Sequence, residues 1–249
     1  MNNTFKLRIL QDDPIIHNVK TALGLPLFRG MPNIEDKPCL ENCNKCIDVC
    51  PTNAIQLNPI KINLGLCVFC PQCEETCPEN IIHFTNNFHT ATDTREKLIV
   101  TKNIKSISPN TASKKIQKYF GKSLKLRQIS AGGCNGCELE LNALSNVNFD
   151  LGRYGIEFVA SPRHADGIVI SGPITKNMAN AISIAYEAVP NPKVIILVGA
   201  CAISGGIFKD SDQISRKFIN ENKIDIFIPG CPPHPITFMN ALLDWLNKK

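Results

Sequence analysis

Twelve cysteines are distributed along this 249-residue chain in three groups of four. The groups are Cys39, Cys43, Cys46 and Cys50, followed by Pro51; Cys67, Cys70, Cys73 and Cys77, followed by Pro78; and Cys134, Cys137, Cys201 and Cys231, followed by Pro232. A 4Fe-4S cube needs four convergent thiolates, and three cysteines on one tight loop closed by a fourth from a distant point supply them. Zinc and disulfides are the other common uses of closely spaced cysteines. Zinc tolerates paired C-x2-C, but it does not call for three cysteines on one loop with a trailing Cys-Pro, twice over. Disulfides are poorer still, since cysteines so close on one loop are badly placed to cross-link and nothing marks the chain as secreted. The chemistry implied is electron transfer.

The first two groups form an internal repeat. Cys43, Cys46 and Cys50 recur 27 residues later as Cys70, Cys73 and Cys77, and CPTNAIQL is answered by CPENIIHF. Such a pair resembles a two-cluster ferredoxin, in which the cysteine before the proline serves the other half's cluster. The resemblance assigns Cys39, Cys43, Cys46 and Cys77 to one cluster, and Cys67, Cys70, Cys73 and Cys50 to the other. The first half opens C-x3-C where the ferredoxin pattern has C-x2-C, which sets Cys39 apart from the rest.

The remaining chain must position the third group. Residues 1–38 hold a helical candidate near Ile15 to Leu23 and then LPLFRGMP, whose glycine and proline break regular structure. Residues 39–90 are the two-cluster unit, with short strands at AIQL and IIHF. Residues 91–125 form a basic connector with a helix expected around Ala112 to Tyr119. From 126 to 249 apolar runs alternate with helical candidates: LRQIS, IEFVA, GIVIS, VIILVG and DIFIPG, with helices at Ala179 to Ala188, Ile214 to Asn222 and Ile236 to Leu246. The fold class is therefore α/β, a Rossmann- or flavodoxin-like parallel sheet with helices on both faces, joined to a ferredoxin-like domain. In such a sheet Cys134 and Cys137, Cys201 and Cys231 all lie beyond the carboxyl ends of strands, where ligands bind. Their loops are rich in glycine, which admits a bulky cluster and offers it N–H groups. Nucleotide binding is not indicated, because neither G-x-x-x-x-G-K-[ST] nor a post-strand G-x-G-x-x-G is present.

Hydrophobic content of 43% is ordinary for a soluble protein, and the strongest apolar run, around Val194 to Val198, is far too short to span a membrane. The N-terminus has acids where a signal peptide would be apolar, so a cytoplasmic location is expected, with membrane contact through partner subunits. The formal charge of +5 treats thiols as neutral, whereas three thiolate-bound clusters at about −2 each would bring the chain close to neutrality. Positive charge is concentrated between Arg95 and Arg127, where ten Lys or Arg face one acid, Glu96. Such a run is a solvated face or a docking strip for an acidic partner or anionic lipid. Nucleic acid is not expected, since aromatic residues other than Tyr119 and Phe120 do not interleave it.

GGCNGCELE, SPRHAD, GACAISGGIF and IPGCPPHP together resemble the small, cluster-bearing subunit of formate-hydrogenlyase-type membrane-bound nickel-iron hydrogenases and, more distantly, its counterpart in respiratory complex I. The resemblance covers about residues 126 to 249, with residues 39 to 84 resembling the two-cluster ferredoxin subunit of the same complexes. It implies an oxidoreductase subunit with three 4Fe-4S clusters, the third held by Cys134, Cys137, Cys201 and Cys231. The catalytic centre is expected on a large partner subunit, either nickel-iron or quinone-binding. Further subunits and an electron donor or acceptor protein would complete the membrane-bound complex. The separation of Cys134 from Cys137 by Asn135-Gly136, and His164 in place of the complex I glutamine, favour the hydrogenase branch. A free electron carrier without a catalytic partner is the competing class. Glu138 and Glu140 are proton-relay or helix-start acids. Arg163 and His164 are cations for the cluster or the partner's pocket, or hydrogen-bonded structural residues. Trp245 is read as packing.

Overall fold

The computed structural model describes residues 16 and 18–248. The cysteine repeat is built from short pieces. Strand β1 (Pro32–Ile34) precedes the first cysteine group, helix α1 (Lys45–Asp48) carries Cys46, and β2 (Ile55–Gln56) follows Cys50-Pro51. Strand β3 (Lys61–Asn63) precedes the second group, α2 (Gln72–Glu75) carries Cys73, and β4 (Ile82–Phe84) follows Cys77-Pro78. The antiparallel pairs are β1 with β4 and β2 with β3, so the last strand of the unit returns to the first. The backbone repeats as the sequence does. Asn42 and Phe69, and Asn53 and Asn80, all have positive φ (58°, 54°, 53° and 48°), each pair being 27 residues apart. Strand β5 (Ile99–Val100) then adds to β3 as a third strand.

Helix α3 (Lys114–Phe120) is capped by Ser113, whose Oγ accepts from the Ile116 N–H at 3.4 Å. After it come β6 (Leu124–Ser130), α4 (Gly136–Ala143), β7 (Ile156–Phe158), β8 (Gly167–Ser171), α5 (Lys176–Ala188), β9 (Val194–Val198), α6 (Ala200–Ser204), α7 (Lys217–Glu221), β10 (Ile226–Ile228) and α8 (Pro235–Trp245). The five strands form one parallel sheet in the order β10-β9-β8-β6-β7, as the alternating pattern predicts. Every residue of β8 and β9 is buried, which explains why these strands read as continuous apolar runs. Ile168, Ile170, Ile195 and Leu197 enter one core, together with Met31, Ile62 and Leu98 from the region around the repeat. Val169, Val194, Ile196 and Val198 enter the other, under α8 and with Trp245. The two regions are also tied by backbone, since Thr92 and Phe227 exchange N–H···O bonds of 2.9 and 2.7 Å at the β10 edge.

Two expected helices differ. Of the candidate near Ile15 to Leu23, residues 15 and 17 lie outside the described residues, and 18–23 form a turn and a β-bridge from Leu23 to Asn87. The backbone groups there find partners across space instead of within a helix: Gly24 N–H donates to the Asn86 carbonyl at 2.8 Å, and Asn86 Nδ2 donates to the Gly24 carbonyl at 3.0 Å. The candidate at Ile214 to Asn222 starts later, at Lys217, because Ile214 is held in a bridge to Thr175. No helix among the described residues is long and apolar enough to cross a membrane.

Candidate iron-sulfur sites

All twelve cysteines are unpaired thiols. Cys39 stands beside Cys43 and Cys77, and Cys46 faces Cys39, Cys77 and Cys43. Cys67 faces Cys73, Cys50 and Cys70. Each set thus draws three thiols from one loop and one from the opposite half. Cys137 faces Cys201, Cys231 and Cys134, so the third set also closes although its members lie up to 97 residues apart.

The surroundings fit a cluster. Among the described residues no three Cys, His, Asp or Glu side chains are grouped as a single metal ion requires. Backbone donors already point at sulfur: Ala54 N–H to Cys50 Sγ at 3.2 Å, Ile81 N–H to Cys77 Sγ at 3.4 Å, and Phe69 N–H to Cys67 Sγ at 3.3 Å. The first two are repeat equivalents, and donors of this kind tune a cluster. At the third site glycine is needed for space. A Cβ on Gly199 would lie 2.6 Å from Cys137 Sγ at a φ of +88°, and one on Gly206 would lie 3.0 Å from Cys201 Sγ. Burial, with like-charged neighbours adding, pushes the Cys67, Cys73 and Cys137 thiols up to about 12 and Cys201 up to about 11. A cationic core held here would stabilise the thiolate form, with the thiol protons released to solvent.

The sheet explains the third site. Cys134 follows β6, Cys137 sits in the first turn of α4, Cys201 is on α6 after β9, and Cys231 follows β10, all beyond strand carboxyl ends. Strand order reverses between β6 and β8, which opens a crevice there. Cys134 and Cys231 are exposed, as is Cys39 at the first site.

The other singled-out residues separate clearly. Glu138 is buried and accepts a hydrogen bond from Ser171 Oγ at 2.7 Å, while Glu140 is half-buried, with desolvation raising its pKa. Arg163 and His164 are exposed on a short 3-10 turn, and the hydrogen bond there is local, from Arg163 N–H to Ser161 Oγ at 3.3 Å. Trp245 is core packing, and its carbonyl accepts from Ala112 N–H at 2.7 Å. Half of the basic run is occupied internally. Lys97, Lys102 and Lys125 pair with Asp93, Asp36 and Glu157, while Arg95 and Arg127 donate to the carbonyls of Ile203 and Val159.

Arg216 carries no signal in the sequence, yet it sits at the third site. Its Nη2 donates to the Ala202 and Ile203 carbonyls at 2.7 Å each, and Nη1 to the Pro173 and Cys201 carbonyls at 3.2 and 3.4 Å. Nothing near position 216 hints at this, because its partners are backbone carbonyls of α6 and of Pro173 after β8.

Residues 134–245 match the family described as NADH ubiquinone oxidoreductase, 20 Kd subunit. A probable membrane-bound hydrogenase subunit of Pyrococcus furiosus, mbhJ, is 34% identical over 53% of this chain and 78% of its own length. The chain belongs to this family. Formate hydrogenlyase subunit 7 of Escherichia coli K12 is 41% identical over 47% of this chain and 46% of its own. An NADH-quinone oxidoreductase subunit of Citrifermentans bemidjiense is 42% identical over 45% of this chain and 65% of its own. The family is one of oxidoreductase complexes, and the chain is an electron-transfer subunit of the membrane-bound hydrogenase and complex I family.

Proposed function

We propose that this chain holds three 4Fe-4S clusters in series and conducts electrons to or from the active site of a large partner subunit, a nickel-iron hydrogenase. The ligands would be Cys39, Cys43, Cys46 and Cys77 at the first site, Cys67, Cys70, Cys73 and Cys50 at the second, and Cys134, Cys137, Cys201 and Cys231 at the third. Clusters so held accept and release single electrons. The division would be an extension to residue 38, a two-cluster unit over 39–90, a connector over 91–125 that also braces both sides, and the family domain from 126.

The observation that carries the reading is adjacency. Cys73 of the second set lies near Cys46 of the first, and Cys231 of the third lies near Cys70 of the second. The second site therefore stands between the other two. Beside the third set, Leu139, Ile207 and Phe208 are large apolar side chains left exposed, two or more residues from Cys137 and Cys201. A partner covering that face would bury them and shield exposed Cys134 and Cys231 from water. The complex would sit at the inner face of the membrane, held there by its other subunits.

The quinone reading also has support, in the identity to the NADH-quinone oxidoreductase relative. The purified complex should contain nickel and reduce a dye with hydrogen. Quinone turnover without nickel or hydrogen activity would move the partner to the complex I side. Recovery of the chain alone, fully soluble at low salt, would favour a free carrier. For the cluster count, the reconstituted chain should bind about twelve iron and as much acid-labile sulfide. Saturation near eight, with zinc making up the difference, would remove the third cluster.

A further inference from the structure

We infer that the guanidinium of Arg216, seconded by Arg95, is the counter-charge of the third four-cysteine site and raises the reduction potential of the cluster held there. The inference rests on the proposed third cluster. Arg216 is half-buried between Pro173, after β8, and helix α6, which carries Cys201, and all four of its hydrogen bonds go to backbone carbonyls. Arg95 reaches in from the connector, 108 residues earlier in sequence than the Ile203 carbonyl to which its Nη1 donates at 2.9 Å. Ile203 O thus accepts from two cations. Arg95 also lies over the Phe227 ring, 5.1 Å from its centroid, with its outer side exposed.

Neither arginine has a carboxylate salt bridge among the described residues. The charged neighbours that Arg216 feels are Arg95 and the Cys201 thiol; burial pulls its pKa down to about 10, Arg95 adds to that, and Cys201 opposes it. Glu96 is the acid that Arg95 feels at the surface, whereas half-buried Arg216 has no carboxylate among its charged neighbours, and the anion it faces is the Cys201 thiolate. Capping the carboxyl end of α6 explains the hydrogen bonds, since Cys201, Ala202 and Ile203 lie in that helix. A cap alone needs one cation and does not need it beside a cluster ligand. At the second set one arginine has a similar place, Arg29, whose Nε donates to the Phe69 carbonyl at 2.7 Å, but the neighbours that the Cys67 and Cys73 thiols feel are other cysteines and backbone N–H groups. Glu138, beside Cys137, contributes charge of the opposite sign on the other flank of the third site.

Reduction adds one electron to the cluster and hence one negative charge, which a neighbouring cation stabilises. The test is a potentiometric titration of the full reconstituted chain followed by electron paramagnetic resonance, with the third signal identified by its loss in Cys201→Ser. Iron content is measured on the same samples. At the potential where the wild-type third cluster is half reduced, its reduced-to-oxidised ratio in Arg216→Gln should be about tenfold lower, equal to about 59 mV for a one-electron couple. The other two signals should not move. Arg216→Lys, which keeps the charge but loses the fork, should stay within about twofold of wild type. If Arg216→Gln loses its third cluster, Arg95→Gln, which leaves the Arg216 bonds in place, should shift the same signal in the same direction by a smaller factor. An unmoved third potential in a fully loaded glutamine variant overturns the inference, as does an equal shift in Arg216→Lys. A wild-type chain with only eight iron would instead overturn the third cluster itself.

Discussion

The cysteine-repeat region and the sheet domain bring sets of four thiols together by opposite routes. In the former eight cysteines lie between positions 39 and 77, on loops that one-turn helices and two- or three-residue strands hold in place. In the latter four cysteines spread from 134 to 231 are gathered by a parallel sheet whose strand ends place them together. Geometry at the first two sites is written locally and copied once, down to matching left-handed residues at Asn53 and Asn80. At the third it depends on topology, on close approach at Gly199 and on cations from remote segments. A local change should therefore damage one ferredoxin-like loop, whereas the third site should respond to changes far from any cysteine.

The sharpest way to break this contrast is to remove ligands. Cys201→Ser should cost about four of about twelve iron and one paramagnetic signal, and leave the other two clusters intact. Cys50→Ser should disturb the cluster of Cys67, Cys70 and Cys73, not that of its own loop, because Cys50 faces Cys67 and Cys73. Iron and sulfide counts with spectra on each variant decide both. Loss confined to the cluster of Cys39, Cys43 and Cys46 in Cys50→Ser would show that the halves are not crossed.

The same contrast explains what could be read from sequence. The alternation of apolar runs predicts all five strands of the sheet, because burial on both faces leaves β9 without a polar position and β8 with Ser171 alone. The cysteine repeat is legible because its spacing and trailing prolines are local signals, whereas Cys134, Cys137, Cys201 and Cys231 are linked in sequence only by their places after apolar strands. Arg216 and Arg95 are not legible, since an arginine whose partners are backbone carbonyls of another element looks in sequence like any surface cation. The segment after Ile15 fails for a related reason: its apolar residues suggest a helix, but its backbone pairs with Asn86 and Asn87 more than 60 residues on.

A smaller effect tests the dependence on close packing. Gly199→Ala places a Cβ 2.6 Å from Cys137 Sγ in a left-handed backbone. The conformation costs roughly 1–2 kcal/mol and the crowding roughly 1–3. Together they should destabilise the sheet domain by about 3 kcal/mol and lower iron at the third site alone. Gly152→Ala, whose Cβ would meet only Asp150 Oδ1 at 3.9 Å, should stay within about 0.5 kcal/mol in the same denaturant titration. Equal effects from the two substitutions would remove the steric account.

The smallest expected effect probes the junction between the two regions. His234, three residues after Cys231, caps α8 by accepting the Ile236 N–H on Nδ1 at 3.1 Å. Its ring packs 5.5 Å from Phe28, 4.6 Å from Phe88 and 5.7 Å from Phe149, so it joins segments on both sides of the repeat to the sheet domain. The cavity beside it is lined by Ile16, Leu23, Phe88 and Phe149 among others, and among the described residues its lining includes no charged side chain; Arg29 is the charged group on its other side. Burial lowers its pKa from 6.5 to about 4. Between those values the unfolded chain binds the proton that the folded one refuses, so stability is full above pH 6.5 and falls as the pH drops toward 4. The loss attributable to this one ring is about 1 kcal/mol at pH 5.5 and about 3 kcal/mol once both states are protonated. His234→Asn keeps a side-chain oxygen for the Ile236 N–H and cannot titrate. Denaturant midpoints from pH 7.5 to 5.5 should fall less in this variant than in wild type, by that margin. Parallel pH profiles for the two proteins would mean that the junction does not sense acid through His234.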